Sequence, residues 1–264
     1  MADIPCQHLR IDALRQQLAQ WEGAARGRYA REDPASWERV SALPSGCPAL
    51  DRALPEKGFR PGTLVEWLSH GEGDGTATLA FRAAAGALRA AVGAGNRGGV
   101  VMVLDRTGEF YPLAAAAQGI EPARLIVVHP GNKADHTWAL DQALRCPAVA
   151  AVVAWPESPD GKLDGHTFRR LQLAVEQGGG LGLLVRPESV RGQPSWADVR
   201  LLVEPLPSTA PYGRPRRMRV VLLRCRGGRG EQTVEVEIDH ETHSLSFNPE
   251  PTATATRYRS GDRS

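Results

Sequence analysis

A chain of 264 residues with a net charge of +2, 42% hydrophobic and 23% charged, carries enough apolar mass for one sizeable α/β domain with appendages. The near-balanced charge argues against a polyanion binder acting by bulk charge, and no apolar run reaches the roughly 18 residues that would span a bilayer. Cys6, Cys47, Cys146 and Cys225 lie far apart with no CxxC or Cys/His ligand spacing, which argues against a zinc site or a disulfide framework and suits a reducing cytoplasm.

The N-terminus, "MADIPCQHLRIDALRQQ", meets charge within a few residues, so neither export nor a membrane anchor is expected. Within "LRIDALRQQLAQWE" (9–22), Leu9, Leu14, Leu18 and Trp21 recur at helical spacing, which predicts an amphipathic helix. The polar, Gly- and Pro-broken stretch 23–39 reads as a linker, so 1–39 forms an N-terminal unit ahead of a core domain at 40–248. In that core, "TLVEWL" (63–68) predicts a strand and 76–92 a helix. "GGVVMVLD" (98–105) predicts a strand and "YPLAAAAQGI" (111–120) a helix ended by Gly119. Strands follow at 124–130, 148–155 and 180–187, alternating with helices at 134–145 and 166–177. Near-continuous apolar strands alternating with helices predict a mostly parallel sheet covered on both faces. "MRVVLLRCR" and "QTVEVEIDH", joined by Gly227, Gly228, Arg229 and Gly230, then alternate in and out as an antiparallel hairpin extending the sheet, with Val234, Val236 and Ile238 on one face and Glu235, Glu237 and Asp239 on the other. The tail 249–264 lacks apolar residues for packing and is expected to be disordered.

The glycine-rich turn between the first strand and helix, "SHGEGDGTATLA", has the layout of a phosphate-binding loop. Such a loop needs glycines that converge backbone N–H groups on an anion, a lysine for the β/γ-phosphates and a hydroxyl for magnesium. Gly71, Gly73 and Gly75 meet the first need. Thr76 stands in the lysine slot, Ala77 in the hydroxyl slot with Thr78 behind it, and His70 in the place of the first glycine. Glu72 and Asp74 add negative charge where a triphosphate would sit. On these residues alone the stretch reads as a structural turn.

The wider chain narrows the reading. Residues 41–80, "SALPSGCPALDRALPEKGFRPGTLVEWLSHGEGDGTATLA", resemble the segment leading into the RecA recombinase core, with Ser45, Gly46, Leu50, Asp51, Leu54, Gly58, Gly62 and Glu66 on its pattern. "VLDRTGEFYPLAAAAQGIEPARLIVVHP" is similar to the recombinase stretch that holds the catalytic glutamate, and "VAAVVAWPES" to its magnesium-binding strand. The similarity spans about residues 40–245 and implies a RecA-like P-loop NTPase core, an α/β fold. Carried across, the catalytic glutamate becomes Thr107 and the strand-end aspartate Ala154, so four catalytic slots are empty together. Glu109, two residues beyond Thr107, reads as a loop-surface charge, and the Asp105/Glu109 pair as capping rather than catalysis.

A core with these losses, a short N-terminal helix, the "RRLQLA" helix and a basic "LLRCRGG" hairpin resembles the ImuA-like family of damage-inducible accessory proteins, which are also distantly similar to SulA cell-division inhibitors. The resemblance implies a non-catalytic scaffold for SOS-type translesion DNA synthesis. Its implied partners are an inactive Y-family polymerase-like protein and an error-prone replicative-type polymerase, with self-association or RecA as further contacts. It implies a cytoplasmic protein, nucleoid-associated when induced, with no required cofactor, and it leaves open ATP binding without hydrolysis. The alternatives are a divergent ATPase using the glycine loop and a SulA-like inhibitor of division.

Two surfaces are candidates for contact. Between Pro205 and Gly230 stand seven arginines and no acid: Arg214, Arg216, Arg217, Arg219, Arg224, Arg226 and Arg229. Clustered arginines suit salt-dependent phosphate contacts with single-stranded DNA or an acidic partner, and Arg214, Arg216 and Arg217 are favoured because Arg224 and Arg226 alternate onto one strand face with Val220 and Leu222. Leu14, Leu18 and Trp21 of the N-terminal helix form the second surface, for a partner, a second copy or the chain's own core. Trp138, Trp155 and Trp196 are expected to serve packing.

Overall fold

The computed structural model describes residues 42–93, 99–156, 162–207, 216–228, 230–239 and 245–247. The predicted N-terminal helix with Leu14, Leu18 and Trp21, the tail 249–264, Arg214 and Arg229 lie outside the described residues.

Local sequence accounts for most elements. A short helix, α1 (Pro48–Ala53), starts with proline at its first position, where the missing N–H costs nothing. Strand β1 (Thr63–Ser69) is apolar between its ends apart from Glu66 and is buried through Leu68. Helix α2 (Thr76–Gly93) runs as an alanine-rich rod after the glycine turn. Strand β2 (Val100–Leu104), the short helix α3 (Pro112–Ala117) and strand β3 (Leu125–Val128) follow. Helix α4 (Lys133–Arg145) is capped by Asn132, whose side chain accepts from the Asp135 N–H at 3.0 Å. After β4 (Val149–Ala154), helix α5 (Gly165–Gly178) is capped in the same way by Asp164, which accepts from the Thr167 N–H at 2.8 Å. Strand β5 (Leu181–Pro187) leads through a short turn to β6 (Val199–Pro205), and β7 (Arg216–Cys225), β8 (Gln232–Ile238) and β9 (Leu245–Phe247) complete the sheet.

The nine strands lie in the order β3-β2-β4-β5-β1-β6-β7-β8-β9, parallel from β3 through β6 and antiparallel beyond. Helices α2 and α3 cover one face, where Leu79, Ala83, Phe81 and Leu88 pack on Val65, Trp67, Val101 and Val103. Helices α4 and α5 cover the other through Leu140, Leu144, Phe168 and Leu171 against Leu64, Met102 and Val152. Pairing of Thr63 with Leu181 and of Ser69 with Pro187 brings the loops after β1 and β5 side by side at the carboxyl ends of the strands. In a sheet of this kind that edge is where sites form.

The predicted alternation holds, with shorter elements at several ends, and three elements, α1, β6 and β9, were not predicted. Strand β6, "VRLLVEP", carries Arg200 at a buried position and was not predicted. The α3 helix ends at Ala117 rather than 120. Strand β3 is only half-buried because it is the sheet edge. In β8 the predicted alternation is present, with Val236 and Ile238 in the core. Trp155 packs at 6.4 Å from Phe81, but Trp138 and Trp196 are 44% and 48% exposed. Trp138 sits on the side of α4 opposite Leu140 and Leu144, and Trp196 lies under the guanidinium of Arg169 at 5.2 Å, so neither is core packing.

Gly86, in the middle of α2, tests how tightly the segment before α1 lies on the helix. A Cβ there would stand 2.1 Å from the Pro44 carbonyl oxygen. In an open helix Gly→Ala gains about 1 kcal/mol. Here the clash with main chain reverses the sign, and Gly86→Ala is expected to lose about 1–3 kcal/mol, as overpacked cores do. Thermal denaturation reads the result; a Tm at or above wild type would mean that residues 42–47 move aside without cost.

Candidate functional site

Four loops meet at the carboxyl edge of the parallel strands: residues 69–75 after β1, 105–111 after β2, Trp155 and Pro156 after β4, and Pro187–Ser189 after β5. The start of β7 brings Arg216 and Met218 to the same edge. A cleft of about 800 Å³ lies between the first turns of α2, the 105–111 loop and α3, lined by Ala77, Thr78, Phe81, Phe110, Trp155 and Arg216 among others. Phe81 stacks on Phe110 with ring centroids 5.3 Å apart, so this cleft has an apolar, aromatic wall. A second cleft, of about 970 Å³, lies over the glycine loop and reaches Arg186 and Glu188.

Gly75 sits at the loop's inner end with φ +93°, a backbone conformation that requires glycine, and a Cβ there would come 2.5 Å from Met218 Cε and displace the end of that side chain. The loop's polar groups turn inward onto one of its own side chains. Asp74, 7% exposed, accepts from the His70 N–H at 2.7 Å, the Thr76 N–H at 2.8 Å and Ser69 Oγ at 2.9 Å. Gly71 N lies 3.5 Å from the same carboxylate. Arg216 donates to the Gly73 carbonyl from the far side of the loop. His70 Nδ1 lies 2.7 Å from Glu188 Oε2 and ties the loop to the turn after β5. Gly71 and Gly73 are exposed, Thr76 is buried, and Ala77 and Thr78 line both clefts.

The other positions matched to catalytic groups are occupied by residues with local roles. Thr107 Oγ1 lies 3.2 Å from Asp105 Oδ1 and 3.1 Å from Glu109 Oε2. Ala154 closes β4 inside the core beneath α4 and α5. Burial pushes the Asp105 carboxyl upward, but N–H groups of Phe110 at 3.1 Å and Gly108 at 3.0 Å, with Thr107, outweigh it and hold the carboxyl below the usual carboxylate range. Asp105 therefore stays ionised and shapes its loop. Among the described residues, no group of three or more His, Cys, Asp and Glu gathers in a metal-binding arrangement.

The arginine segment is largely compensated. Arg217 pairs with Glu237 at 3.0 Å and Glu235 at 3.3 Å, and Arg219 with Glu235 at 3.4 Å and Glu204 at 3.7 Å. A bulge where β6 pairs with β7 breaks the alternation after Leu222, and Arg224 instead donates to the Ser195 carbonyl at 2.9 Å. Arg226 lies 3.5 Å from Asp198 and 3.7 Å from Glu176. Arg216 alone of these five faces the glycine loop.

Two features escaped sequence reading. Asp74 registers there only as a repelling charge, because its partners are backbone groups. The second is an ionic cluster at Glu66. Arg186 donates to Glu66 Oε1, Ser195 Oγ to Oε2 at 2.8 Å, and Arg200 Nε stands 2.7 Å from Oε2. A lone acid in "TLVEWL" and lone arginines in "GLGLLVRP" and "VRLLVEP" were the available signal, since buried charges are found paired.

A sheet in this strand order, closed by antiparallel strands and carrying a glycine turn between β1 and α2, defines a protein of the RecA-like α/β class. No model of a known protein family matches the chain. It is 32% identical over 202 residues to ImuA of Caulobacter vibrioides strain NA1000, spanning 71% of this chain and 80% of that one. RecA of Picosynechococcus is 31% identical over 128 residues, 48% of this chain and 34% of its own. RecA of Synechocystis is 32% identical over 145 residues, 54% of this chain and 38% of its own. The chain belongs to the ImuA family, a RecA-related family. Among the described residues, no helix is long and apolar enough to cross a membrane.

Proposed function

We propose that the chain is a non-catalytic, RecA-like accessory protein of damage-inducible mutagenesis, a scaffold within a translesion DNA-synthesis complex in the cytoplasm. Family membership supports the pathway. One observation carries the non-catalytic part: the loop that would grip a triphosphate offers Thr76 and Ala77 in place of lysine and hydroxyl, and the N–H groups of His70 and Thr76 are turned onto Asp74. Without that lysine and hydroxyl the loop lacks the groups that polarise a γ-phosphate and hold magnesium against it in a phosphate-binding loop.

In this reading an inactive Y-family polymerase-like protein is the principal partner, and an error-prone replicative-type polymerase joins through it. Leu14, Leu18 and Trp21 make one contact. Arg214, Arg216 and Arg229 approach DNA, while Arg217 and Arg219 chiefly hold the β-hairpin through Glu235 and Glu237. Gel filtration of the full chain mixed with the polymerase-like partner is expected to give one co-eluting peak at micromolar concentration; two separate peaks overturn the scaffold reading. Magnesium-dependent ATP turnover is expected to stay at the buffer rate. Turnover that disappears when Gly75 is altered would restore the ATPase reading.

A further inference from the structure

The inward turn of the glycine loop supports more than the absence of catalysis. We propose that Asp74 is a built-in anion: its carboxylate fills the position that a phosphate takes in loops of this layout, and its removal opens an anion site there. An ordinary helix-capping aspartate accepts only from N–H groups ahead of it, at the start of the helix. Asp74 does accept from the Thr76 N–H ahead of it, but it also accepts from the His70 N–H and Ser69 Oγ, four and five residues behind. The carboxylate is thus ringed by donors from both arms of the loop, as an anion in a backbone nest is.

The surroundings are those of a site with its ligand supplied internally. The first turn of α2 contains no acidic residue, so Asp74 is the anion that meets the positive end of this helix. Thr76, 1% exposed and lining the cleft over the loop, has a hydroxyl with no hydrogen-bond partner. It sits in the slot where a phosphate loop carries its lysine, and a larger anion in place of the carboxylate supplies an acceptor for it. Arg216, clamped on the Gly73 carbonyl and lining the same cleft, is the nearby cation. A phosphate entering beside the Asp74 carboxylate meets a like charge at contact distance and finds the His70 N–H, the Thr76 N–H and Ser69 Oγ already engaged.

The proposal concerns the loop alone, and its failure leaves the family placement and the gel-filtration test of the scaffold untouched. The test titrates inorganic pyrophosphate, without magnesium, into the full chain as wild type, Asp74→Ser and Asp74→Asn, followed by calorimetry and by the shift in Tm. Wild type is expected to show no saturable heat at millimolar pyrophosphate and no Tm shift beyond that of chloride at equal ionic strength. Asp74→Ser, which removes the charge and leaves space, is expected to bind at least about tenfold tighter than wild type and to gain Tm with pyrophosphate. Asp74→Asn keeps the side-chain shape and is expected to gain less. If Asp74→Ser fails to fold, Asp74→Asn decides alone. Folded variants that bind pyrophosphate no better than wild type overturn the proposal, as does wild type binding it as tightly as they do.

Discussion

Glu66→Ala is expected to cost about 3–5 kcal/mol of folding stability, the range for breaking a buried ion pair from one side. Glu66 is fully buried, and the substitution leaves the buried guanidiniums of Arg186 and Arg200 without their shared carboxylate. The cost is a desolvation effect more than a lost attraction: two buried cations remain, Arg186 over the Phe168 ring at 5.3 Å and Arg200 against the Val190 and Arg191 carbonyls, without the carboxylate that balanced them. The consequence reaches the site. Arg200 also donates to the carbonyls of Val190 and Arg191, both at 2.7 Å, and so pins the turn that presents Glu188 to His70 of the glycine loop. Urea denaturation with an unchanged m-value measures the loss. Replacing Glu66, Arg186 and Arg200 together with apolar residues of similar size is expected to recover most of it, because no charge is then left unpaired. A single-variant loss below about 1 kcal/mol would mean that water reaches the cluster.

His136 is expected to make stability fall on mild acidification. It lies buried on the inner side of α4 with Nε2 unpartnered, and burial, followed by the charge of Arg106, pushes its pKa down to about 4 from the ordinary 6.5. The folded state therefore holds it neutral while the unfolded chain takes up the proton. Between pH 6.5 and 4 the unfolded state binds more protons, so stability rises with pH across that window and is lost on going down it. The full swing is about 3 kcal/mol. His136→Leu removes the titrating group, so wild-type stability measured relative to it should drop by that amount from pH 7 to pH 4. A difference curve flat across the window would mean that the imidazole is solvated or paired in the folded state.

The functional site separates into parts that sequence can and cannot show. In the proposed reading Thr76, Ala77, Thr107 and Ala154 stand out in sequence as departures from a spaced pattern, because that pattern is local to each loop or strand. The destination of Asp74 is invisible, since a carboxylate between glycines looks the same whether it faces solvent or the loop's own N–H groups. The arginine segment shows the same limit. Seven arginines without a nearby acid read as a basic surface, yet Arg217, Arg219 and Arg226 find acids on β6, β8, α5 and the chain before β6. Those partners are adjacent only because the antiparallel strands bring them there.

What the amino-acid order settled by itself is the succession of buried strands and covering helices, and with it a mostly parallel sheet. Burial on two faces demands continuous apolar runs, and caps, prolines and glycines mark their ends within a few residues. What only the tertiary structure decided is the meaning of the charges: Glu66 with Arg186 and Arg200, His136 buried with Nε2 unpartnered, Asp74 inside its own loop. The free energy of a charge depends on which dipoles and counter-charges surround it, and across sequence separations such as the 120 residues between Glu66 and Arg186 those neighbours are set by the fold.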